Sequence, residues 1–189
     1  IGEISQAMEI LTSAGLNKSK ITLLQCNTEY PTPINDVNLR AMVELGEKFG
    51  TKIGYSDHTK GINISIAAAA LGAKIIEKHF TLDKSMNGPD HKSSLDAFEL
   101  KSMILGIREI EFALGSKEKF ITKSEMKNLS LVRKSIVAKT NISRGEKFSS
   151  ENLTTKRPSN GISPMYWDDL IGNVSNANYE PDDQIRYEF

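Results

Sequence analysis

The run Lys52-Ile53-Gly54-Tyr55-Ser56-Asp57-His58-Thr59 passes from a strand-like start to a tip crowded with hydroxyls, a carboxylate and an imidazole. Lys52 to Tyr55 reads as a short strand, and Gly61 opens an alanine-rich helix that reaches Leu71. A strand that delivers polar groups into a helix start is the core of a βα unit. The same order recurs on both sides. Upstream, Ile21-Thr22-Leu23-Leu24-Gln25 reads as a strand and Cys26 through Pro33 as a loop broken by two prolines. A helix follows, capped by Asn35 or Asp36, with Leu39, Met42, Val43 and Phe49 on its apolar face and Gly50 as its stop. Downstream, Ala73-Lys74-Ile75-Ile76-Glu77 is a third strand and Thr81 to Ser93 a polar loop. A helix then runs from about Ser94 to Leu114, with Leu95, Phe98, Met103, Ile107, Ile110 and Leu114 on its buried side and Gly115 as its stop. Alternation of this kind implies parallel strands with helical crossovers, in an α/β sheet or a segment of a barrel.

The 189 residues are 39% hydrophobic and 25% charged, which excludes a disordered or fibrous chain. Lysine plus arginine number 24 and aspartate plus glutamate 24, so the net charge is zero and neither nucleic acid nor an acidic membrane surface finds an electrostatic footprint. A small molecule or another protein is the expected partner. The single cysteine, Cys26, builds no disulfide framework, which leaves a reducing cytoplasm as the expected compartment. No apolar run approaches the ~18–20 residues that span a bilayer; the best candidate, Ile62 to Leu71, reads as a buried helix. The chain opens on Ile1, and Ile4, Ala7, Met8, Leu11 and Ala14 have helical spacing without signal-peptide order, so it is expected to begin inside a larger protein.

Beyond residue 115 the composition changes. Lys117, Lys119, Lys123 and Lys127 crowd a stretch poor in apolar residues, read as a linker over 116–130 between a first domain at 1–115 and a second at 131–189. That second part reads as small and mostly β. It offers a strand from Ser135 to Thr140, a turn at Ser143-Arg144-Gly145-Glu146, a helical turn from Pro164 to Leu170 and a final strand approached through Asp182-Asp183-Gln184-Ile185.

All three histidines fall where an α/β fold collects ligands. His58 lies just past the second strand, His79 at the end of the third and His91 in the loop beyond. Two imidazoles on neighbouring strand ends can share one cavity and suit a divalent metal such as Mn²⁺, with positions left for water and substrate. Spacing alone also fits structural histidines. Ser56, Asp57 and Thr59 ahead of a helix start could cradle a phosphate or carboxylate, or simply cap a turn. Asp90, in Asn87-Gly88-Pro89-Asp90-His91-Lys92, could bind sugar hydroxyls or sit in a solvated loop. Arg157, before Pro158, puts a guanidinium on a rigid turn.

Glu29-Tyr30-Pro31-Thr32-Pro33, Gly54-Tyr55-Ser56-Asp57-His58-Thr59, Ile76-Glu77-Lys78-His79-Phe80-Thr81, Gly88-Pro89-Asp90-His91 and Lys156-Arg157-Pro158 together resemble, in order and register, the sialic acid synthases, which include N-acetylneuraminate, legionaminate and pseudaminate synthases. The resemblance covers essentially the whole chain. It implies the C-terminal part of a (β/α)₈ TIM barrel, about three βα units, followed by a small mainly-β antifreeze-like (SAF) domain. A whole barrel takes ~250 residues, so the chain looks like the C-terminal half of such an enzyme and is expected to be inactive alone.

The activity so implied condenses phosphoenolpyruvate with N-acetylmannosamine or a related N-acylated hexose, giving a nine-carbon 2-keto sugar acid and phosphate. By the same resemblance, His58 and His79 hold Mn²⁺ or Mg²⁺ and are catalytic, Ser56 anchors the donor, Thr28 and Tyr30 line the donor and sugar sites, and Asp90 accepts from sugar hydroxyls. Thr28 stands where the better-known pattern has asparagine. A domain-swapped homodimer is implied, in which Arg157 reaches the sugar in the partner's barrel. The rival reading is a carbohydrate-binding antifreeze-like module on a non-catalytic barrel remnant.

Overall fold

In the computed structural model, which describes residues 1–188, the chain divides into two compact units, Ile1–Lys117 and Glu118–Phe189. Phe189, the last residue assigned to the small domain, lies outside the described residues. The first unit opens with α1 (Gly2–Ser13) and continues as β1 (Thr22–Cys26), α2 (Leu39–Phe49), β2 (Lys52–Asp57), α3 (Asn63–Ala70), β3 (Ile75–Lys78) and α4 (Ala97–Leu114). The strands are parallel and lie in sequence order, β1-β2-β3. That is the arrangement of consecutive strands in a βα barrel.

Strand alternation sorts the sheet into two unlike faces. Gln25, Tyr55 and Ile76 are in register on one face, as are Asp57 and Lys78. On this face Tyr55 is fully buried in a core with Val37, Met42 and Ala68, flanked by Ile53, Ile64 and Ile76. Leu24, Gly54 and Ile75 share the opposite face with Cys26, Ser56 and Glu77. Here Ile75 is 45% exposed, and Cys26 and Glu77 are exposed. Gly54 is needed for the strands to meet, because a Cβ there would sit 2.6 Å from the Ile75 carbonyl oxygen and 3.0 Å from Leu24 Cγ.

The tip of β2 is fixed by a buried ion pair. Asp57 is fully buried; its Oδ1 accepts from the Thr59 amide at 2.8 Å and the Thr59 hydroxyl at 2.7 Å. Its Oδ2 accepts from the Ser65 hydroxyl at 2.5 Å and lies 3.0 Å from Lys78 Nζ, whose side chain is 4% exposed. Lys78 also donates to the Thr59 carbonyl at 2.8 Å. A carboxylate and an ammonium both removed from water survive only when paired and hydrogen-bonded in this way.

Three local expectations are corrected. Asn35 and Asp36 do not cap α2: they belong to a separate 3-10 turn, Ile34–Asp36, and α2 starts behind Asn38, whose φ of 47° is a conformation asparagine tolerates. The alanine-rich α3 is half-buried: Ser65 and Ala68 are fully inside and Ile64 packs on the Tyr55 core, while Asn63 and Ala70 at its two ends are exposed. In α4, which starts behind the Asp96–Glu99 capping box, Met103 is buried, yet Phe98 is 79% and Leu114 57% exposed. Phe98, Leu105 and Phe112 instead form an exposed stripe at seven-residue spacing. Among the described residues no helix is long and apolar enough to cross a membrane.

The second unit contains α5 (Lys123–Met126), α6 (Leu129–Val132), β4 (Ser135–Ala138), β5 (Leu153–Lys156) and α7 (Trp167–Leu170). The strands β4 and β5 pair antiparallel over a core of Ile136, Ala138, Ile142, Phe148, Leu153, Leu170, Tyr179 and Ile185. Among the described residues no regular final strand follows Asp182. Gln184 bridges Val137, and Ala138 N–H donates to the Asp183 carbonyl. The stretch 116–130 holds α5 and the start of α6, and Ser159 N–H donates to the Ser130 carbonyl at 2.8 Å.

Two stability outcomes follow from this packing. Gly54→Ala is expected to cost about 1–3 kcal/mol, since the new methyl meets a backbone carbonyl that cannot swing aside; an unchanged Tm would contradict the close strand approach. Lys78→Met should cost about 3–5 kcal/mol by stranding the buried Asp57 carboxylate. Lys84→Met, which breaks the exposed Lys84–Glu99 pair, should cost under about 1 kcal/mol in the same denaturation experiment.

Candidate active site at the strand ends

Each residue singled out in the first unit leaves the sheet at the carboxyl end of a strand. Thr28 and Tyr30 follow β1, Ser56 and His58 lie at or just beyond the end of β2, and His79 follows β3. Three of them meet as rings. Tyr30 and His58 have centroids 5.1 Å apart at 86°, His58 and His79 5.3 Å apart at 86°, and Tyr30 lies over His79 at 4.3 Å. Sequence places these rings on separate loops; parallel pairing brings them to one end of the sheet.

The orientation of His58 is set by backbone. Its Nδ1 lies 2.7 Å from the Asn27 carbonyl oxygen, which can only accept, so Nδ1 donates and Nε2 is the nitrogen left to face a ligand. The His58 carbonyl in turn accepts from the Thr32 amide at 2.9 Å, tying the β1 and β2 loops together. His79 Nδ1 lies 3.7 Å from Asp90 Oδ2. Tyr30 has its phenol pushed above the ordinary value, first by burial, with the Ser94 hydroxyl pulling the other way and the Asp90 and Asp57 charges adding to the rise. It is a neutral hydrogen-bond donor at physiological pH.

Ser56 is 5% exposed and its hydroxyl donates to Glu77 Oε1 at 2.6 Å. Its single proton is therefore held by a carboxylate. Thr28 is exposed on the loop between Asn27 and Tyr30. His91 is not part of the ring group; its Nδ1 lies 2.8 Å from the Thr81 hydroxyl. Arg157 belongs to the second unit, exposed, with Nε donating to the Val132 carbonyl at 2.8 Å. Its turn is pinned by Ser135, whose hydroxyl donates to the Pro158 carbonyl at 2.7 Å and accepts from the Gly161 amide at 2.9 Å.

Sequence reasoning missed the Asn27 carbonyl, the grip of Glu77 on Ser56 and the Asp57–Lys78 pair beneath the two imidazoles. Only the last two had a signal, a carboxylate and a lysine beside His79. Two imidazoles with Nδ1 turned to protein acceptors fit a divalent cation that keeps water or substrate in its other positions. Among the described residues no group of three or more histidine, cysteine, aspartate or glutamate side chains is disposed to enclose a metal.

Comparison with known proteins gives the same frame. The NeuB family matches residues 1–119, and the SAF domain matches 133–189. The chain is 54% identical over 186 residues to the N,N'-diacetyllegionaminic acid synthase of Campylobacter jejuni, covering 98% of this chain and 56% of that protein. It is 41% identical over 167 residues to human N-acetylneuraminate-9-phosphate synthase, covering 87% of this chain and 46% of that one. It thus spans about half the length of these relatives. The crystal structure of the spore coat polysaccharide biosynthesis protein spsE from Bacillus subtilis superposes with a TM-score of 0.56 at 31% identity, over 98% of this chain and 57% of that one. With parallel βα units carrying the ring site and a small β domain after them, the chain belongs to the NeuB family of sialic acid synthase-like enzymes and carries its SAF domain.

Proposed function

We propose that this chain supplies the metal and acceptor side of a synthase that joins phosphoenolpyruvate to the open-chain aldehyde of an N-acylated hexose. The carrying observation is the ring group Tyr30–His58–His79, with the Nδ1 of both imidazoles turned toward protein oxygen. The names of the relatives, legionaminic and N-acetylneuraminate-9-phosphate synthases, support the product class. His58 and His79 would hold Mn²⁺ or Mg²⁺ through Nε2. The metal, when bound, polarises the aldehyde oxygen as a Lewis acid.

In this reading C3 of the donor forms the new bond to the aldehyde carbon, water adds at the electron-poor C2, and the C–O bond to phosphate breaks. A nine-carbon 2-keto acid and inorganic phosphate result. Tyr30, neutral and donating, and Thr28 line the donor and sugar sites, and Asp90 accepts from sugar hydroxyls. Ser56 would anchor the donor's carboxylate or phosphate, for which its proton must leave Glu77. That exchange makes Glu77 the group that keeps Ser56 oriented while the site is empty of anion. Arg157, on its pinned turn, would reach the acyl carbonyl of the acceptor in a partner subunit of a domain-swapped homodimer. The single thiol, Cys26, exposed and unbridged, fits a reducing cytoplasm. A carbohydrate-binding module on an idle barrel remnant would need no metal, so a metal titration separates the two readings.

His58→Ala and His79→Ala in the complete protein should weaken divalent-metal affinity and lower turnover together, while His91→Ala changes metal affinity little; intact metal dependence in both alanine variants would sink the site. Arg157→Ala should raise the acceptor KM by the equivalent of about 1.5–3 kcal/mol with a smaller effect on the donor. Mixed dimers of Arg157→Ala and His79→Ala subunits should regain one working site. No recovery from subunits shown to mix would place Arg157 within its own chain's site, or outside any.

A further inference from the structure

We infer that Asp90 is a positioning residue for His79, fixing the ring in the Nδ1–H tautomer so that Nε2 is the nitrogen offered to metal. The inference deepens the proposed function and rests on its metal site. His79 is constrained on two sides: Tyr30 covers its face at 4.3 Å, and Asp90 Oδ2 lies 3.7 Å from Nδ1. Nε2 has no hydrogen-bond partner among the described residues. The separation is an ion-pair distance; closing it to the ~2.8 Å of a charge-assisted hydrogen bond takes a shift of under ~1 Å by a half-exposed carboxylate. His58 shows the same arrangement completed, with the Asn27 carbonyl on Nδ1 at 2.7 Å. A ligating imidazole is generally held by an acceptor on its other nitrogen, which fixes both tautomer and ring direction.

The loop carrying Asp90 is built to deliver that carboxylate to that ring. Its ends close on His79 itself, since Leu95 N–H donates to the His79 carbonyl and Thr81 N–H to the Leu95 carbonyl, each at 2.9 Å. Within it, the Asp90 carbonyl accepts from the Ser93 amide at 3.1 Å, the Ser94 amide at 3.0 Å and the Ser94 hydroxyl at 2.7 Å. The Thr81 hydroxyl lies 3.0 Å from the Asp83 carbonyl oxygen and 2.8 Å from His91 Nδ1, tying both ends of the loop to one side chain. A Cβ on Gly88 would lie 2.7 Å from His91 Cδ2, so the loop folds tightly against that ring. The Asp90 main chain is therefore held before any substrate arrives. Oδ2 serves His79 and Oδ1 is left for a sugar hydroxyl, so one side chain couples acceptor contact to the direction of a metal ligand.

The test titrates Mn²⁺ alone into the complete protein, without donor or acceptor, following the free-ion paramagnetic resonance signal. Asp90→Ala is expected to weaken Mn²⁺ binding 10–100-fold, and Asp90→Asn about tenfold. Asp90→Glu should restore part of the affinity. Nitrogen-15 histidine spectra should show His79 as the Nδ1–H tautomer in the parent protein and shifted toward Nε2–H in Asp90→Ala. Mn²⁺ affinity unchanged within twofold in Asp90→Ala, or an Nε2–H form of His79 in the parent protein, overturns the inference. If the alanine variant fails to fold, the isosteric Asp90→Asn gives the same reading. His79→Ala separates the two levels: if it too leaves Mn²⁺ affinity intact, the metal site falls and this inference with it, whereas failure of the Asp90 variants alone removes only the role of Asp90.

Discussion

The buried Asp57–Lys78 pair is the interaction on which the site depends. A buried ion pair adds little net stability over an apolar equivalent, but it tolerates almost no displacement, because either charge left alone would face a low-dielectric interior. Asp57 immediately precedes His58, and Lys78 immediately precedes His79. The pair lies on the helix-covered face, joined to α3 through Ser65 and to the β2 loop through Thr59. It fixes the ends of two strands against each other, and with them the starting points of both imidazoles.

The two faces of the sheet divide the labour between stability and chemistry. Helix-facing residues build the Tyr55–Met42–Ala68 core, in which the buried Tyr55 hydroxyl has no hydrogen-bond partner among the described residues, and the Asp57–Lys78 pair with its hydrogen bonds. The other face carries a thiol, a hydroxyl and a carboxylate at the ends of β1, β2 and β3, above Leu24, Gly54 and Ile75. Gly54 lets the strands approach, and the Ser56–Glu77 bond spans β2 and β3 at the level where the rings begin. Reactive groups gather at one end because every parallel strand points the same way.

The small domain follows another logic. Its core of Ile136, Phe148, Leu153, Tyr179 and Ile185 supports a two-stranded ladder and long bridged loops. The outcome is a firm base for one exposed guanidinium. Ser135 pins the turn after Arg157 from beneath, and the Val132 carbonyl takes Arg157 Nε, leaving the terminal nitrogens to face outward contacts.

The βα alternation, the placement of three polar strand ends and the family were legible in the residues alone, because each is written in short runs of neighbouring residues. Periodicity also misled. Phe98 and Leu114 fit a buried face of α4, yet they are exposed, since a helix with apolar residues around much of its circumference does not say which side will be covered. The strand β5 escaped notice because Leu153-Thr154-Thr155-Lys156 has one apolar residue in four. Pairing at long range, by contrast, is settled by the folded sheet. Asn27 and His58 are 31 residues apart, and Ser56 and Glu77 are 21 apart. A backbone carbonyl carries no residue-type signature, and which lysine meets which carboxylate depends on strand register, which is fixed only when the sheet forms.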